Sequence, residues 1–514
     1  MHQASGLTPS AFCAAYGAPP EIAETIAREG LLPPILLTRL ARSFPDRVRF
    51  SASPALFSDK ARYSGIAGFR EVCQRLAAEG VTIEAQAERE LFIDVYRFLA
   101  TRHTLNSIDW TDFQNDSLFH LVFPQPGMFE PDVVAAYTAA SSREDRQKIA
   151  ADYIQRTNPH DGNQQLNKPW FYDENDELHV LPGSQHKYPQ IQLIFDRSTQ
   201  HCFSFCTYCF RHAQVRGDED MFVQEDIGQV HAYLRAHREV TDLLLTGGDA
   251  GLLTADRFEA YVTPLIEDPA LAHVRTVRIG SRALTYLPEL VLGSGYDRML
   301  SLFRKVYESG MQLAWMAHFS TPQEVLNPLA LAAIRRLQAH HVVLRSQSPI
   351  MKHVSLFANP SGEGIDIERS ARNWIDLGNI LGALGIGFHS IYCARPTGQH
   401  SYFTAPLADV HRVFDQVYRS LASIHRPSRH LSMTTSAGKI SILGKTQVGD
   451  DEAFALKFTE GREMGWLDPV FLAKYDRETN DVARLKPHRG SRFFFEEQQD
   501  QIEAELAEQL KRRS

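Results

Sequence analysis

Cysteine is scarce in this chain, and several features that mark common protein classes are missing. Six cysteines in 514 residues are too few for the disulfide framework of a small secreted domain. No apolar run reaches the roughly 18–20 residues of a membrane span, and the N-terminus lacks the basic-then-apolar layout of a signal peptide. A net charge of −8 argues against nucleic acid as the main partner. We therefore expect a cytoplasmic protein that binds neither membranes nor nucleic acid.

The hydrophobic pattern divides the chain into three regions. Residues 1–182 carry apolar residues three and four apart and predict a mainly helical region that ends in a polar linker. Residues 183–403 alternate short apolar runs with helical stretches, which predicts six β–α units around a parallel sheet. No dinucleotide-binding fingerprint is present, so this α/β region is interpreted as a partial (β/α)6 TIM-like barrel. Residues 404–514 predict a C-terminal extension whose charged terminal helix is a packing or solvated helix.

Three of the six cysteines lie within eight residues, directly after the first predicted barrel strand: Cys202, Cys206 and Cys209. Three thiolates can hold three irons of a 4Fe–4S cluster and leave the fourth iron open for a bound molecule. A zinc site is the alternative reading, with His201 or His212 as the fourth ligand.

The C-x3-C-x2-C spacing resembles the signature of the radical S-adenosylmethionine (SAM) enzymes. In that family the open iron chelates the amino acid portion of SAM, and the aromatic residue before the third cysteine, here Tyr208, lies beside the adenine. Residues at the ends of the following strands are expected to bind SAM along a rim wide enough for a nucleoside: Gly247, Gly248, Asp249, Arg278, Ser281, His318 and Gln347. The glycine pair and its aspartate resemble the family element that binds the SAM ammonium. Taken singly, each is an ordinary strand-end residue.

A closer resemblance rests on the strings TGGDA, VRIGSR, HFSTPQE and RSQSPIM, in this order after the cysteines. They look like the lysine 2,3-aminomutase family, and the likeness covers roughly residues 183–444. It implies a radical SAM barrel that holds a 4Fe–4S cluster, SAM and pyridoxal 5′-phosphate (PLP). The implied reaction starts with a 5′-deoxyadenosyl radical, which removes a β-hydrogen from an amino acid held as an imine of PLP, and the nitrogen migrates from C2 to C3. A flavodoxin or ferredoxin is the expected electron donor, and homo-oligomerisation is left open.

The PLP side of the resemblance is carried by few residues. Lys439, in the string SAGKI, occupies the place of the family lysine that forms the Schiff base with PLP. Lys187 and Tyr188 match a basic–aromatic pair that lies near PLP in the family. Two other positions depart from the pattern, since Ile191 stands for a basic residue and Thr207 for an arginine. Without the resemblance, Lys439 reads as a solvated surface lysine.

Substrate binding is where the chain departs most from its likeness. Arg211 matches the family arginine that pairs with the substrate α-carboxylate. The two aspartates that hold the distal ammonium of lysine correspond here to Ala394 or Arg395 and to Ser432. Because a buried ammonium without a counter-charge is costly, L-lysine is not expected as substrate. Arg395 favours an acidic or neutral polar side chain, such as that of glutamate or aspartate.

Three functional hypotheses follow. The leading one is a 2,3-aminomutase with a substrate other than lysine. The second is a radical SAM enzyme of the same fold with another outcome, dehydrogenation or elimination, with or without PLP. The third, a structural iron–sulfur or zinc protein, would not require the strand-end residues. No structural zinc is expected, because Cys393 is the last cysteine and the family's C-terminal cysteine cluster is missing.

Overall fold

The computed structural model describes residues 8–48, 54–157, 162–212, 214, 221–395 and 401–513. Among the helices of these residues, none combines the length and the apolar character that crossing a membrane requires.

The N-terminal region is built mainly from helices that bury one apolar face. Phe69, Val72 and Leu76 lie three and four residues apart in one helix, and all three are buried. The helices α1–α9 are Pro9–Tyr16, Pro20–Arg28, Pro34–Ser43, Gly65–Ala78, Gln86–Val95, Arg102–Ser107, Ser117–Val122, Pro131–Ala139 and Arg143–Arg156. Short strands β1 (Arg62–Ser64) and β2 (Leu99–Thr101) pair antiparallel within this region. A hairpin of β3 (Trp170–Tyr172) and β4 (Leu178–Val180) lies in the segment expected to be a linker.

The central region forms a parallel sheet with helical crossovers. The strands from β5 to β13 are Ser184–Tyr188, Ile191–Phe195, Asp242–Thr246, Thr276–Ser281, Gln312–Ala317, Val343–Ile350, Phe357–Ala358, Ile365–Asp366 and Gly387–Cys393. The helices α10–α17 are Ile227–Ala236, Ala255–Glu267, Ala283–Tyr286, Glu289–Leu292, Asp297–Glu308, Pro322–Leu326, Pro328–Ala339 and Ile367–Ala383. Strands β6, β7, β8, β9, β10 and β13 are parallel neighbours in this order. The predicted (β/α)6 arrangement is therefore confirmed.

The C-terminal region continues the same sheet. After α18 (Leu407–Ser420), strand β14 (Ser432–Thr434) pairs parallel with β13 through Tyr392 and Ser432. Strands β15 (Gly438–Val448), β16 (Asp451–Gly461) and β17 (Val470–Lys474) then add antiparallel. Helix α19 is Glu496–Arg513. The proposed boundary at 403/404 stays a prediction, but no break in the sheet accompanies it.

The two sides of this long sheet approach each other. Strand β5 was not among the predicted strands, but it pairs antiparallel with β6 and forms the first edge. From β5, the Lys187 ammonium donates to the carbonyl of Thr435, just ahead of β15. Beyond the end of β16, the Arg462 guanidinium donates to Asn167 Oδ1 over 2.8 Å. The C-terminal strands thus cover the side that a six-stranded barrel leaves open.

Candidate active site

The cysteine segment follows the C-terminal end of β6, where barrel sites lie. All three sulfur-bearing residues are partly buried, and the backbone N–H of Cys209 donates to the carbonyl of Cys206 over 2.9 Å. Burial, together with the neighbouring Cys206 thiol, raises the pKa of the Cys209 thiol to about 12. A bound metal reverses that preference, since a coordinating thiol is deprotonated.

The three sulfurs lie farther apart than a single tetrahedral zinc ion requires. A tetrahedral zinc site with Zn–S bonds of about 2.3 Å brings its sulfurs to about 3.8 Å from one another. The three cysteine sulfurs do not all lie within 4.8 Å of one another. In the part of the chain that the structure describes, the metal-ligating side chains that do so are Asp173, Glu177 and His179, on the β3–β4 hairpin. Three cysteine thiolates are a donor set that suits a 4Fe–4S cluster with one open iron.

The N-terminal region holds the cysteine segment through hydrogen bonds to Phe205 and Thr207, which lie between the cysteines in the sequence. The backbone N–H of Phe205 donates to the carbonyl of Leu99 over 2.7 Å. Thr207 donates twice, from its N–H to the carbonyl of Leu121 (2.9 Å) and from its hydroxyl to the carbonyl of His120 (2.6 Å). Thr207, which stands where the family has an arginine, thus uses its hydroxyl in a hydrogen bond that links the cysteine segment to α7.

Two glycines bring the end of β7 against the residues that precede Cys202. Gly247 has a φ of +142°, and a Cβ there would lie 2.2 Å from the Thr199 hydroxyl oxygen. A Cβ on Gly248 would lie 2.4 Å from the carbonyl oxygen of His201. The backbone N–H of Gly248 donates to the carbonyl of Thr199 over 2.7 Å. These contacts leave no room for a side chain at either glycine, so the pair is needed for the close approach of the two segments.

Asp249 joins the ends of β7 and β8. Its carboxylate accepts hydrogen bonds from the backbone N–H of Gly251 (2.8 Å) and of Arg282 (2.9 Å). Burial raises the pKa of this carboxyl to about 6, against the opposing effect of a hydrogen bond from Ser281. Asp249 and Ser281, predicted separately at the rim, are therefore in direct contact.

Arg282 joins several residues of the rim through its contacts. It was not predicted as a site residue, although it directly follows Ser281 in the sequence. Its guanidinium donates to the Tyr208 hydroxyl over 2.7 Å and forms a buried ion pair with Glu324. The Glu324 carboxylate also accepts from the backbone N–H of Ser320 over 2.6 Å. The aromatic ring expected beside adenine is thus held by a charged, buried pair.

Arg211 lies near enough to His318, at the same rim, for its charge to lower the pKa of the imidazole. The Arg211 guanidinium donates to the Thr246 hydroxyl over 2.6 Å and lies 4.8 Å from the centre of the Phe195 ring. Burial, together with the charges of Arg282 and Arg211, lowers the pKa of His318 to about 3, so the imidazole is neutral at pH 7. Gln347 lies half-buried in β10, beside a register shift against β13.

Lys439 is the second residue of strand β15 rather than part of a loop. Its ammonium lies 2.6 Å from one oxygen of Glu460, and Arg429 lies 2.5 Å from the other. Burial lowers the pKa of Lys439, although the carboxylate of Glu460 opposes that shift. Burial by itself would raise the pKa of Glu460, but the cations Lys439 and Arg429 outweigh burial and lower that pKa to about 2. Lys439 is therefore a half-buried, ion-paired lysine.

Arg278 lies with this lysine rather than beside Asp249. The Arg278 Nε is 2.8 Å from Asp242 Oδ1, at the start of β7. The charge of Arg278 contributes to the lowered pKa of Lys439. The same charges reach His389, whose pKa falls to about 3 because of burial and then of Arg429 and Arg278. The assignment of Arg278 to SAM stays a prediction.

The remaining predicted residues surround the start of β15. Lys187 reaches the Thr435 carbonyl, and its pKa is lowered well below its ordinary value by burial and by the charges of Arg462 and Arg395. The Arg395 Nε donates to the carbonyl of Thr434 over 2.9 Å. Tyr188 lies near Arg395, and burial raises the pKa of its hydroxyl, so it is uncharged at pH 7. Ser432 is 2% exposed, opposite Ser441 in the β14–β15 register.

The described site residues thus form two groups. We call the first the cluster rim: Cys202, Cys206, Cys209, Tyr208, Arg211, Gly247, Gly248, Asp249, Ser281, Arg282, His318 and Glu324. The second is the lysine group: Lys187, Tyr188, Asp242, Arg278, Arg395, Arg429, Ser432, Lys439 and Glu460. No sequence signal marks Glu460, because it meets Lys439 only through the pairing of β15 with β16.

Comparisons with known proteins place the chain among aminomutases, although no family model matches it. A protein of Aquifex aeolicus (strain VF5) described as "Putative L-lysine 2,3-aminomutase" is 31% identical over 315 residues, which cover 59% of this chain and 78% of that protein. The L-lysine 2,3-aminomutase of Clostridium subterminale is 28% identical over 41% of this chain and 51% of its own length. The glutamate 2,3-aminomutase of Clostridioides difficile (strain 630) is 29% identical over 33% of this chain and 37% of its own length.

Proposed function

Because this chain belongs to the lysine 2,3-aminomutase family of radical SAM enzymes, we propose that it converts an α-amino acid other than L-lysine to a β-amino acid. The reaction would use a 4Fe–4S cluster, SAM and PLP. The observation that carries the proposal is the ion-paired Lys439, held in a strand that extends the sheet of the cluster barrel.

The cluster rim supports the radical-generating half of this function. Three cysteines would hold the cluster, and Tyr208, fixed by Arg282, would lie beside the adenine of SAM. Gly247 and Gly248 hold the end of β7 against Thr199 and His201, and their backbone would bind the methionine part of SAM. His318 is neutral, so it can accept or donate a hydrogen bond without adding charge.

The lysine group supports the binding of PLP. Its conjugated ring, when bound, supplies a system over which an unpaired electron can spread. Lys439 would bind it covalently, and a lowered lysine pKa favours the neutral, nucleophilic amine. Glu460 opposes that shift and positions the ammonium. The cations Lys187 and Arg278 lie near enough to attract the phosphate.

The substrate would be an amino acid with an acidic side chain. Arg211 would bind the α-carboxylate, since its guanidinium lies at the cluster rim and donates to the uncharged hydroxyl of Thr246. Arg395 lies where lysine-specific relatives carry an acidic residue, and the buried Ser432 offers a hydroxyl at the other such position. A guanidinium there favours a carboxylate and disfavours the ammonium of lysine. One relative is named for glutamate.

A second candidate is a radical SAM reaction of the same barrel without PLP, such as a dehydrogenation or an elimination. It is favoured by two positions that cannot bind a phosphate here. The Thr207 hydroxyl is already bonded to the carbonyl of His120, and Ile191 carries no polar group.

The test is a PLP-binding assay on anaerobically reconstituted protein with Lys439→Ala. We expect the wild type to show a covalent PLP absorbance that borohydride changes, and the variant to lose it while it keeps its iron. Lys445→Ala is the matched control, since Lys445 lies on the same strand in an exposed pair with Glu452. An unaltered PLP band in the Lys439 variant, or no band in the wild type, would contradict the proposal.

Product analysis decides between the two candidates. Wild-type protein would be incubated with reductant, SAM, PLP and a panel that includes L-glutamate, L-aspartate and L-lysine. We expect a β-amino acid, detected by mass spectrometry, from an acidic member of the panel and none from L-lysine. Release of 5′-deoxyadenosine together with a dehydrogenated product, and no β-amino acid, would favour the second candidate.

A further inference from the structure

We propose that Tyr286 donates an O–H···S hydrogen bond to the Cys206 sulfur and raises the reduction potential of the iron–sulfur cluster. The tyrosine hydroxyl lies 3.0 Å from the Cys206 Sγ. Tyr286 is 1% exposed, so water does not compete for the hydroxyl. The inference rests on the cluster part of the proposed function and adds a residue outside the cysteine motif, at the end of α12.

The direction of this hydrogen bond follows from the chemistry of the two groups. A cysteine that binds iron is a thiolate and has no proton to donate. A tyrosine hydroxyl keeps its proton at neutral pH, because its ordinary pKa is near 10. In the cluster-bound protein the tyrosine is therefore the donor and the sulfur is the acceptor.

The N-terminal region fixes the tyrosine in this position. The Thr101 hydroxyl donates to the carbonyl oxygen of Tyr286, and the Thr104 hydroxyl lies 3.5 Å from the same oxygen. On the other side, the Arg282 guanidinium lies 5.1 Å from the centre of the Tyr286 ring. Backbone and ring are both held, so the hydroxyl stays directed at Cys206.

The expected effect on the cluster follows from its charge. The reduced cluster carries one more negative charge than the oxidised cluster, and part of it resides on the cysteine sulfurs. A donor to one sulfur therefore stabilises the reduced state more than the oxidised state. Tyr286 would ease the electron transfer from the external donor that precedes SAM cleavage.

The experiment is a redox titration of the reconstituted holoprotein without SAM, followed by the electron paramagnetic resonance (EPR) signal of the reduced cluster. Tyr286→Phe keeps the ring and removes the hydroxyl. We expect its midpoint potential to be more negative, so that the ratio of reduced to oxidised cluster at the wild-type midpoint falls by about 2- to 10-fold. Tyr137→Phe removes the hydroxyl of a tyrosine that is also 1% exposed and that bonds Asp94 over 2.6 Å in the N-terminal region, and it should leave the potential unchanged.

The outcomes separate this inference from the function on which it rests. Equal potentials in the wild type and Tyr286→Phe, at equal iron content, would overturn the inference alone. A folded Tyr286→Phe protein without iron would also overturn it, since the hydroxyl would then serve cluster assembly. If that variant does not fold, Thr101→Val decides, because it releases the Tyr286 carbonyl and should shift the potential the same way; no shift overturns the inference. No cluster signal in the wild type would instead contradict the proposed function.

Discussion

The cysteine segment of the cluster rim and the lysine group are held in place by different kinds of interaction. Around the cysteines, the contacts are backbone and hydroxyl hydrogen bonds, such as those of Thr207 and Gly248. Around Lys439, they are ion pairs, in which Glu460 faces both the lysine and Arg429. Such hydrogen bonds fix the cysteine segment without adding charge to it. A site that already holds several cations must balance them within the protein itself. The two groups should therefore respond differently to the loss of one residue.

The largest effect is expected from removing a cluster ligand. Cys206→Ala should lose nearly all of the cluster iron and reduce SAM cleavage to background, because two thiolates cannot hold the cube. Iron content, sulfide content and release of 5′-deoxyadenosine measure this. Cys73→Ala is the control, since Cys73 is a partly buried free cysteine of α4, outside the cluster rim. Retention of the cluster in the Cys206 variant would remove the basis of the comparison.

An intermediate effect is expected from breaking the charge balance at Lys439. Glu460→Gln leaves Lys439 and Arg429 partly buried without a counter-charge, which should cost about 3 kcal/mol of stability at pH 7. The thermal unfolding midpoint measures this. Glu452→Gln breaks only the exposed pair with Lys445 and should cost less than about 1 kcal/mol. Equal effects of the two variants would show that the lysine group is not held by charge.

The same pair predicts a dependence on pH. The pKa of Glu460 is about 2 in the folded protein, below its ordinary value of 4.5. A lowered carboxyl pKa stabilises the fold above pH 4.5, and that contribution is lost as the pH falls towards 2. The difference in unfolding midpoint between the wild type and Glu460→Gln should therefore shrink through this range. A difference that is constant down to pH 2 would contradict the ion-pair explanation.

The smallest effect is expected where one hydrogen bond is removed from the cluster rim. Thr207→Val keeps the shape of the side chain but loses its bond to the His120 carbonyl, at a cost of about 1 kcal/mol. We expect faster loss of the cluster to a chelator, with unchanged iron content at the start. Thr207→Ser keeps the hydroxyl and should behave as the wild type. A chelation rate that is the same in all three proteins would mean that α7 does not hold the segment.

Much of the cluster rim could be predicted from the sequence because its residues follow apolar strands directly. Asp249 and Ser281 each stand at a strand end, and parallel strands bring such ends together. The fold class followed from the same alternation of strands and helices. Arg282 was missed although it is the residue after Ser281, because its partners Tyr208 and Glu324 lie 74 and 42 residues away.

The lysine group was predictable only in part because it depends on strand pairing far along the chain. The polar run around Lys439 alternates too weakly to mark a strand, so β15 and its pairing with β16 were not expected. Glu460 therefore could not be assigned to Lys439. The segment around Lys187 is polar and rich in proline, typical of a linker, but its backbone forms an edge strand.

The contact between Lys187 and Thr435 has a consequence for the order in which the barrel closes. These residues are 248 positions apart, so this contact forms one of the longest loops in the molecule. The conformational entropy lost on closing a loop grows with its length, and the contacts between β5 and the residues ahead of β15 must offset that loss. We expect these contacts to form late in folding and to open first in the native protein. A comparison of the amide hydrogen exchange rates of β5 and β7 can measure this. Such opening would expose Lys439 to solvent while the cysteine segment stays bonded to the N-terminal helices.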